Sequence, residues 1–231
     1  MCPEDTQPSL SEQVQPNSSF CESIALLLDG IACRLVNTGK HREEVFRLRH
    51  QAYMRDGEVG PQSFGSMSDP YDDADNVYLF GLYIDDELAS SIRIHLATGK
   101  RLYLPSFELF PETLRPELET NKVIVETTHF VTNEKLSRVH RGLPHATLRL
   151  GWLAAGYFKA DHFLAAVDGQ HQEFYQRTFN HRLICGPRPD PRLARTVSLM
   201  TTHHMSVADK LQRRYPFFRS SFFERRMLFE R

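Results

Sequence analysis

The sequence has few cysteines, no long apolar run and almost no net charge. Its four cysteines form no Cys-x-x-Cys pair and no Cys/His array, so neither a zinc site nor a disulfide framework is indicated. No apolar run reaches the roughly 18–20 residues of a membrane-spanning helix. A formal net charge of −1 at pH 7 gives no overall attraction to nucleic acid. The polar N-terminal segment lacks the basic and apolar regions of a signal peptide, so we expect a cytoplasmic protein with reduced thiols.

The length and the composition of the chain suit one globular domain with extensions. The chain has 231 residues, of which 41% are hydrophobic and 25% are charged, as in ordinary globular proteins. We expect residues 1–19, which are polar and contain several prolines, to form a flexible tail. Residues 20–231 are expected to form a single domain, with a helical extension from about residue 203.

Periodicity and turn residues predict an alternation of helices and strands. Helices are expected at 18–30, 39–57, 144–159, 169–179 and 206–231 (broken at Pro216), and strands at 31–38, 77–85, 87–97, 122–134, 162–168 and 181–187. Residues 101–119 are expected to be irregular with short helical turns. A hairpin around Asp85-Asp86, followed by strand–helix–strand units, implies an α/β fold with a mixed sheet and helices on its faces.

Five short sequence elements occur along the chain in a fixed order and spacing that can be compared with known families. They are Arg42-x-x-x-Phe46, Asp69-x-x-Asp72, Arg93 in "SSIRIH", Glu126 and Phe130 in "ETTHF", and "HQEFYQRTF" at 171–179. Their order resembles the acyl-homoserine-lactone synthases and the long-chain N-acyl amino acid synthases, which belong to the GNAT acyltransferase superfamily. The resemblance implies a GNAT-like, mostly antiparallel sheet and transfer of a fatty acyl group from an acyl carrier protein or coenzyme A thioester to an amine.

The chain departs from the lactone-synthase pattern at one basic and one aromatic position. His129 stands where "ELSRF" has its arginine, and the tryptophan of the N-terminal arm has no clear counterpart, Tyr53 being the nearest aromatic residue. "LRHQAY" and "FYQRTF" are closer to the N-acyl amino acid synthases. The acceptor therefore stays open between an amino acid and S-adenosylmethionine.

The central strand around Glu126 is the first candidate for chemistry. A charged residue inside a β-branched strand is costly unless it is paired or functional. By the resemblance, Glu126 is the candidate general base, directly or through a water; alternatively, it is bonded to Arg93 for structure. Strand alternation predicts that Glu126 and Thr128 share one face, with Thr127 and His129 on the other.

The acceptor side is expected to be an acidic and basic network. The resemblance implies that Asp69 and Asp72, together with Arg42, Phe46 and His129, shape the acceptor pocket, and that Arg93 belongs to this buried network as a catalytic residue. Alternatively, Arg93 is a surface arginine of the hairpin. Either aspartate could receive a cationic acceptor or fix an arginine. His129 could instead be an ordinary core histidine or a proton carrier.

The neighbouring acidic residues are interpreted as solvated turn residues. These are Asp73, Asp75, Asp85 and Asp86. "DPYDDAD" lacks the glycine and the distal glutamate of an EF-hand loop, so no metal site is expected.

The donor side has a weaker signal. In GNAT folds the pantetheine arm lies in a gap beside the central strand, which places Phe130 and Thr132 there. Arg138 and Arg141 precede a helix, with Gly142 at its start, and this arrangement suits a phosphate or an acidic carrier protein. The alternative is an exposed charged loop.

Tyr175 occupies the position of a GNAT tyrosine that protonates the leaving thiolate; alternatively, it is a packed aromatic residue. No Ser-His-Asp or Cys-His set is arranged for covalent catalysis, so direct attack is favoured over an acyl-enzyme. The acyl thioester is expected as a co-substrate, and no tightly bound cofactor is expected.

The C-terminal segment combines arginines with five phenylalanines. It could contact a membrane surface peripherally or, as we favour, pack on the protein's own core. A non-catalytic domain that only binds acyl thioesters or a protein partner is the remaining alternative to an enzyme.

Overall fold

A computed structural model describes residues 18–59, 65–101 and 103–230. Most of the predicted tail lies outside these residues, but Ser18 and Ser19 already belong to the first helix. The helices are α1 (Ser18–Gly30), α2 (Gly39–Arg55), α3 (Pro105–Leu109), α4 (Pro111–Glu119), α5 (Glu134–Val139), α6 (Leu143–Tyr157), α7 (Gln172–Phe179), α8 (His204–Arg214) and α9 (Phe222–Phe229). Short 3₁₀ turns cover Pro70–Asp73 and Pro216–Phe218.

The described strands form one seven-stranded mixed sheet. They are β1 (Ala32–Leu35), β2 (Val77–Ile84), β3 (Glu87–Ala97), β4 (Ile124–Thr132), β5 (His162–Val167), β6 (Arg182–Asp190) and β7 (Arg195–Thr202). Their order is β1-β2-β3-β4-β5-β7-β6. Within the described sheet, only β4 and β5 pair in parallel. The predicted fold class, a mostly antiparallel mixed sheet flanked by helices, is confirmed.

The hairpin between β2 and β3 turns at the predicted Asp85-Asp86 pair. Both residues have left-handed backbones, with φ of 49° and 61°. A two-residue type I′ turn needs φ above zero at both central positions, and aspartate tolerates this region better than most residues.

Two strand predictions need correction at the far edge of the sheet. No strand was predicted at 195–202, although β7 lies between β5 and β6 and buries Val197 and Leu199. The predicted strand 181–187 continues to Asp190 as β6, through Pro187 and Pro189. Proline is tolerated there because β6 is an edge strand, whose outer N–H groups need no partner.

Helix α6 packs closely on the centre of the sheet. Gly151 lies so near β4 that an added Cβ would overlap the methyl group of Thr127. The next residue, Trp152, is 1% exposed and has its ring 4.2 Å from that of His204, centroid to centroid. The centre of the sheet, which carries Glu126, is therefore held tightly from this face.

The C-terminal aromatic residues divide between the core and the surface. Phe217, Phe218 and Phe229 are buried, as the packing interpretation expects, but Phe222 and Phe223 on α9 are 67% and 69% exposed. Within the part of the chain that the structure describes, no helix is long and apolar enough to cross a membrane.

Candidate active site

The two parallel strands at the centre of the sheet separate part-way along their length. β4 and β5 pair from Ile124–His162 to Thr127–Ala165. Beyond this point β4 continues to Thr132 and, within the described sheet, pairs only with β3. A cavity of about 350 Å³ opens where the strands part, lined by both strand ends, α2, α7 and the turn between β6 and β7.

A β-bulge accompanies this separation. Thr128 pairs with Arg93 and Val131 with Ser91, so β4 has one extra residue relative to β3. His129, in the bulge, has a left-handed backbone with φ of 46°. The bulge re-aims its side chain, so that it reaches the same Arg93–Asp69 cluster that Thr128 contacts. The prediction from simple alternation, which put His129 and Thr128 on opposite faces, is wrong for this reason.

Glu126 is fully buried and lines the cavity. Its partner is Ser106 at the start of α3, whose hydroxyl donates to Oε1 at 2.5 Å and whose backbone N–H lies 3.4 Å from Oε2. Burial raises the pKa of Glu126 to about 7, against the lowering effects of the Ser106 hydrogen bonds and of the charges on Arg192 and Arg93. A carboxyl group with this pKa changes its protonation state near neutral pH. The alternative of a structural hydrogen bond between Glu126 and Arg93 does not occur.

Arg93 instead binds the two predicted aspartates. Its guanidinium donates to Asp69 at 2.5 and 3.0 Å, lies 3.0 Å from Asp72 and donates to Thr128 through Nε at 3.0 Å. Asp72 also accepts hydrogen bonds from Arg49, at 2.8 and 2.9 Å, and the side chains of this pair are both fully buried. Arg49 was not predicted. Two arginines and two aspartates thus compensate one another's charge, and two of the four, Arg93 and Asp69, line the cavity.

A 3₁₀ turn holds the two aspartates in place. Asp69 accepts the N–H of Tyr71 at 2.9 Å, and Asp72 accepts the N–H of Asp69 at 3.0 Å, which is a reciprocal capping box. The acidic cluster is therefore built by its own backbone as well as by the arginines.

Arg42 and Phe46 lie outside the cavity lining. Arg42 donates to the Asp73 carboxylate at 2.6 Å and to the backbone carbonyl of Asp72 at 3.3 Å, rather than to either predicted carboxylate. The ring of Phe46 lies near two guanidinium groups, with its centroid 5.3 Å from that of Arg42 and 5.2 Å from that of Arg49. Any effect of these two residues on an acceptor would pass through Asp72 and Arg49.

Tyr53 and His129 are in direct contact on the cavity wall. The Tyr53 hydroxyl lies 2.8 Å from His129 Nδ1, and His129 Nε2 lies 3.0 Å from Asp69 Oδ2. Burial and the charges on Arg49 and Arg93 lower the pKa of His129 to about 3, so its imidazole is neutral at physiological pH. Hydrogen bonds from His129 and Arg93 outweigh burial and hold the pKa of Asp69 well below its usual range.

The predicted donor-side residues separate into two groups. Phe130 and Thr132 line the cavity, whereas Arg138, Arg141 and Gly142 do not. Arg138 is paired with Glu134 on α5. An added Cβ at Gly142 would lie 2.7 Å from the side chain of Ile24, so α1 packs closely against this glycine.

On the opposite wall, α7 contributes Tyr175 and the loop before it contributes Asp168 and His171. Tyr175 is buried, and burial raises the pKa of its hydroxyl above the usual range, so this residue carries its proton. Asp168 accepts the backbone N–H groups of Gln170 and His171, which fixes the start of α7. Asp168 and His171 were not predicted as site residues.

The turn between β6 and β7 supplies Arg192, and the first residue of β7 is Arg195; sequence reasoning missed both arginines. Arg192 binds Asp190 at 2.9 Å, and its charge lowers the pKa of Glu126. Arg195 lies 3.2 Å from Glu58, with its guanidinium 5.8 Å from the ring of Tyr53. Because β7 itself was not predicted, nothing in the sequence placed this turn beside the central strand.

Comparison with known proteins gives one family. The family model described as N-acyl amino acid synthase FeeM matches residues 44–203, and no curated protein sequence matches the chain significantly.

Several solved structures share the fold. FeeM, an N-acyl amino acid synthase from uncultured soil microbes, is similar with a TM-score of 0.65 at 15% identity, over 81% of this chain and 97% of FeeM. The acyl-homoserine-lactone synthase LasI gives 0.58 at 19% identity, over 77% of this chain and 91% of LasI. The coenzyme A-dependent lactone synthase BjaI gives 0.57 at 15%, over 80% and 89%. At these identities the likeness establishes the fold alone.

Proposed function

Because the chain belongs to the N-acyl amino acid synthase FeeM family, and is therefore an acyltransferase, we propose that it transfers a fatty acyl group from a carrier thioester to the amine of an amino acid. The family membership confirms the resemblance inferred from the motifs. The observation that carries the proposed chemistry is Glu126, a fully buried carboxyl group with a pKa of about 7 on the wall of the cavity between β4 and β5.

The reaction requires proton transfers that the cavity can perform. An amino acid enters as an ammonium, and Glu126 takes one of its protons, since a base is most effective when its pKa is close to the working pH. The amine then attacks the thioester carbonyl, a C–N bond forms and the C–S bond breaks. Tyr175 gives its proton to the leaving thiolate and recovers one from the nitrogen. The products are an amide, a thiol and one proton.

The gap between the strands suits the pantetheine arm of the donor. Past Thr127 and Ala165, the edges of β4 and β5 that face each other have no ladder partners in the described sheet. A pantetheine arm carries amide groups that can pair with such edges, as an added strand does.

The carrier in this proposal is acyl carrier protein rather than coenzyme A. Both donors carry the pantetheine phosphate, but coenzyme A adds an adenosine part with further phosphates, and of the predicted basic residues before α6, Arg138 is already paired with Glu134. A carrier protein is recognised through its acidic surface instead, and Arg141 remains exposed near the start of α6.

For the acceptor, we assign its carboxylate to Arg192. Arg93 is already occupied by Asp69, Asp72 and Thr128. Arg192 bonds Asp190 through Nε and Nη2, and its Nη1 has no partner among the described residues. Its side chain is 29% exposed, and its charge reaches Glu126. A carboxylate held here would place the adjoining amine near the base.

The experiment is acyl transfer by the purified protein, followed by mass spectrometry of the products. Lauroyl-acyl carrier protein and lauroyl-coenzyme A are supplied in separate reactions, each with a mixture of the protein amino acids or with S-adenosylmethionine. We expect an acyl amino acid, formed faster from the carrier protein. The Glu126→Gln variant should lose product, whereas Glu119→Gln, the same change at an exposed site, should not.

Each other outcome removes a defined part of the proposal. An acyl-homoserine lactone formed only with S-adenosylmethionine would make the protein a lactone synthase. Faster transfer from coenzyme A would overturn the choice of carrier, and full activity of Glu126→Gln would remove only the role of that residue. Absence of product in all reactions would contradict the proposed function.

A further inference from the structure

Tyr53, His129 and Asp69 form one hydrogen-bonded chain on the cavity wall. The Tyr53 hydroxyl contacts His129 Nδ1 at 2.8 Å, and His129 Nε2 contacts Asp69 Oδ2 at 3.0 Å. Asp69 in turn is held by both terminal nitrogens of Arg93. All four residues line the cavity, and the hydrogen-bonded chain ends in the Arg93–Asp69 ion pair.

The direction of each hydrogen bond in this chain follows from its fixed end. Asp69 is ionised by its pairing with Arg93, and a carboxylate only accepts hydrogen bonds. His129 must therefore carry its proton on Nε2 and donate it to Asp69. Because the imidazole is neutral beside Arg49 and Arg93, Nδ1 holds a lone pair. The Tyr53 hydroxyl can satisfy this lone pair only by donating its hydrogen to it.

We propose that Tyr53 is the residue that binds the acceptor amine, as a hydrogen-bond acceptor for its N–H group. With its hydrogen committed to His129, the Tyr53 oxygen offers only lone pairs to the cavity. Among the described residues, no other group bonds this oxygen. The subsite thus selects a ligand with an N–H donor, above all an ammonium. The assignment of this subsite to the acceptor rests on the proposed function. The direction of the hydrogen bonds from Tyr53 to His129 to Asp69 does not.

The backbone around His129 keeps the chain in this arrangement. The left-handed conformation in the bulge brings the ring between Tyr53 and Asp69. Tyr53 itself is only 5% exposed and is fixed on α2. Tyr53 keeps its proton throughout the reaction and positions the amine, while Glu126 on another part of the wall receives the ammonium proton.

The direction of the hydrogen bonds from Tyr53 to His129 to Asp69 can be tested without any enzymatic activity. Nitrogen-15 spectra of the histidine side chains, with His129 assigned by loss of its signals in His129→Asn, report which ring nitrogen carries the proton. We expect a protonated Nε2 and a hydrogen-bonded, unprotonated Nδ1 between about pH 6 and pH 8. In Tyr53→Phe the Nδ1 signal should move to that of a free lone pair. The reverse tautomer or an imidazolium would overturn the proposal.

Binding is tested on the same signals with two monovalent cations, a small one that has N–H groups and a bulkier one that has none. Methylammonium should shift His129 Nδ1 through Tyr53, and tetramethylammonium should not. Tyr53→Phe should abolish the methylammonium effect, and Tyr83→Phe, which removes a hydroxyl bonded to Glu44 outside the cavity, should retain it. Equal shifts with both cations, or none with either, would contradict an N–H subsite.

Acyl-transfer kinetics then connects the subsite to the reaction. Tyr53→Phe should raise KM for the acceptor about 10- to 100-fold, as expected for loss of a hydrogen bond to a charged group. Its kcat and its KM for the acyl donor should stay unchanged, which a general loss of structure would not produce. His129→Asn should add nothing to Tyr53→Phe in the double variant. Additive effects would show that His129 does not act through Tyr53. Absence of any acyl transfer would remove the proposed function but leave the two spectroscopic results to decide on the subsite.

Discussion

The substitution Glu126→Gln is expected to stabilise the protein while it removes activity. Glu126 is fully buried, and burial raises its pKa to about 7 from an ordinary value of 4.5. The folded protein therefore holds the proton more tightly than the unfolded chain does. Glutamine keeps an oxygen that can accept the Ser106 hydroxyl but cannot ionise, so the cost of burying a charge is absent in the variant.

The magnitude and the pH range follow from the two pKa values. Below about pH 4.5 both states are protonated, and Glu126 has no effect on stability. As the pH rises further, unfolding releases a proton, so the free energy of unfolding falls by about 1.4 kcal/mol per pH unit. The fall ends near pH 7, after a total of about 3 kcal/mol. The variant does not experience this loss.

The assay is urea unfolding of wild type and variant at about pH 5 and pH 8. We expect the two proteins to differ little at the lower pH, and the variant to be more stable by about 2–3 kcal/mol at the higher pH. The wild-type rate of acyl transfer should rise through pH 7 as Glu126 ionises. If the stability difference is the same at both pH values, or if Glu119→Gln behaves in the same way, the raised pKa is refuted, and with it the reason for assigning Glu126 as the base.

Three further predictions concern stability and use denaturant or acid unfolding. Asp72→Asn should lower the free energy of unfolding by about 3–5 kcal/mol, because the buried charge of Arg49 loses its carboxylate partner. Asp75→Asn, at an exposed site, should change it by less than about 0.5 kcal/mol. Equal effects would contradict the distinction between the buried and the exposed aspartate. Gly151→Ala should cost about 1–3 kcal/mol through overlap with β4, despite the better helix propensity of alanine; a gain in stability would contradict the close packing. Burial lowers the pKa of His181 to about 3, so stability should fall by about 1.4 kcal/mol per pH unit below about pH 6.5, and His181→Phe should make this acid slope shallower; an unchanged slope would show that His181 titrates normally.

Local patterns in the sequence were sufficient for most of the sheet. β-Branched runs indicated the central strand, and the Asp85-Asp86 pair marked the hairpin, because both signals depend on a few adjacent residues. β7 has a weaker pattern, "RTVSLMTT", in which serine and threonine alternate with apolar residues. Its burial depends on β5 and β6 on either side, which no local pattern contains.

Helix α2 shows why the acceptor-side network was only partly predicted. Arg42, Phe46, Arg49 and Tyr53 recur at helical spacing and therefore share one face. The spacing gives the face but not the depth. Arg42 lies near the surface on Asp73, whereas Arg49, two turns further along, is completely buried on Asp72. Depth along a helix is set by what covers each turn, and that information lies in distant parts of the chain.

His129 shows a second limit. Alternation along a strand predicts side-chain direction only while the register with the neighbouring strand is regular. The bulge opposite Arg93 changes that register. No glycine or turn residue marks the bulge in "ETTHFVT", so the sequence has no local signal for it.

A fragment that contains only the residues of the family match, 44–203, is not expected to fold on its own. Helix α6, inside the match, is covered by helices outside it: Phe20 of α1 contacts His145, and Trp152 contacts His204 of α8. From α9, Phe229 closes over Tyr78 of β2. A fragment trimmed to the match would also lose β1 and leave β2 as a bare edge. Such a fragment is expected to aggregate, so libraries built on family boundaries would discard this protein as insoluble, whereas cloning from Ser18 to Glu230 would keep its core covered.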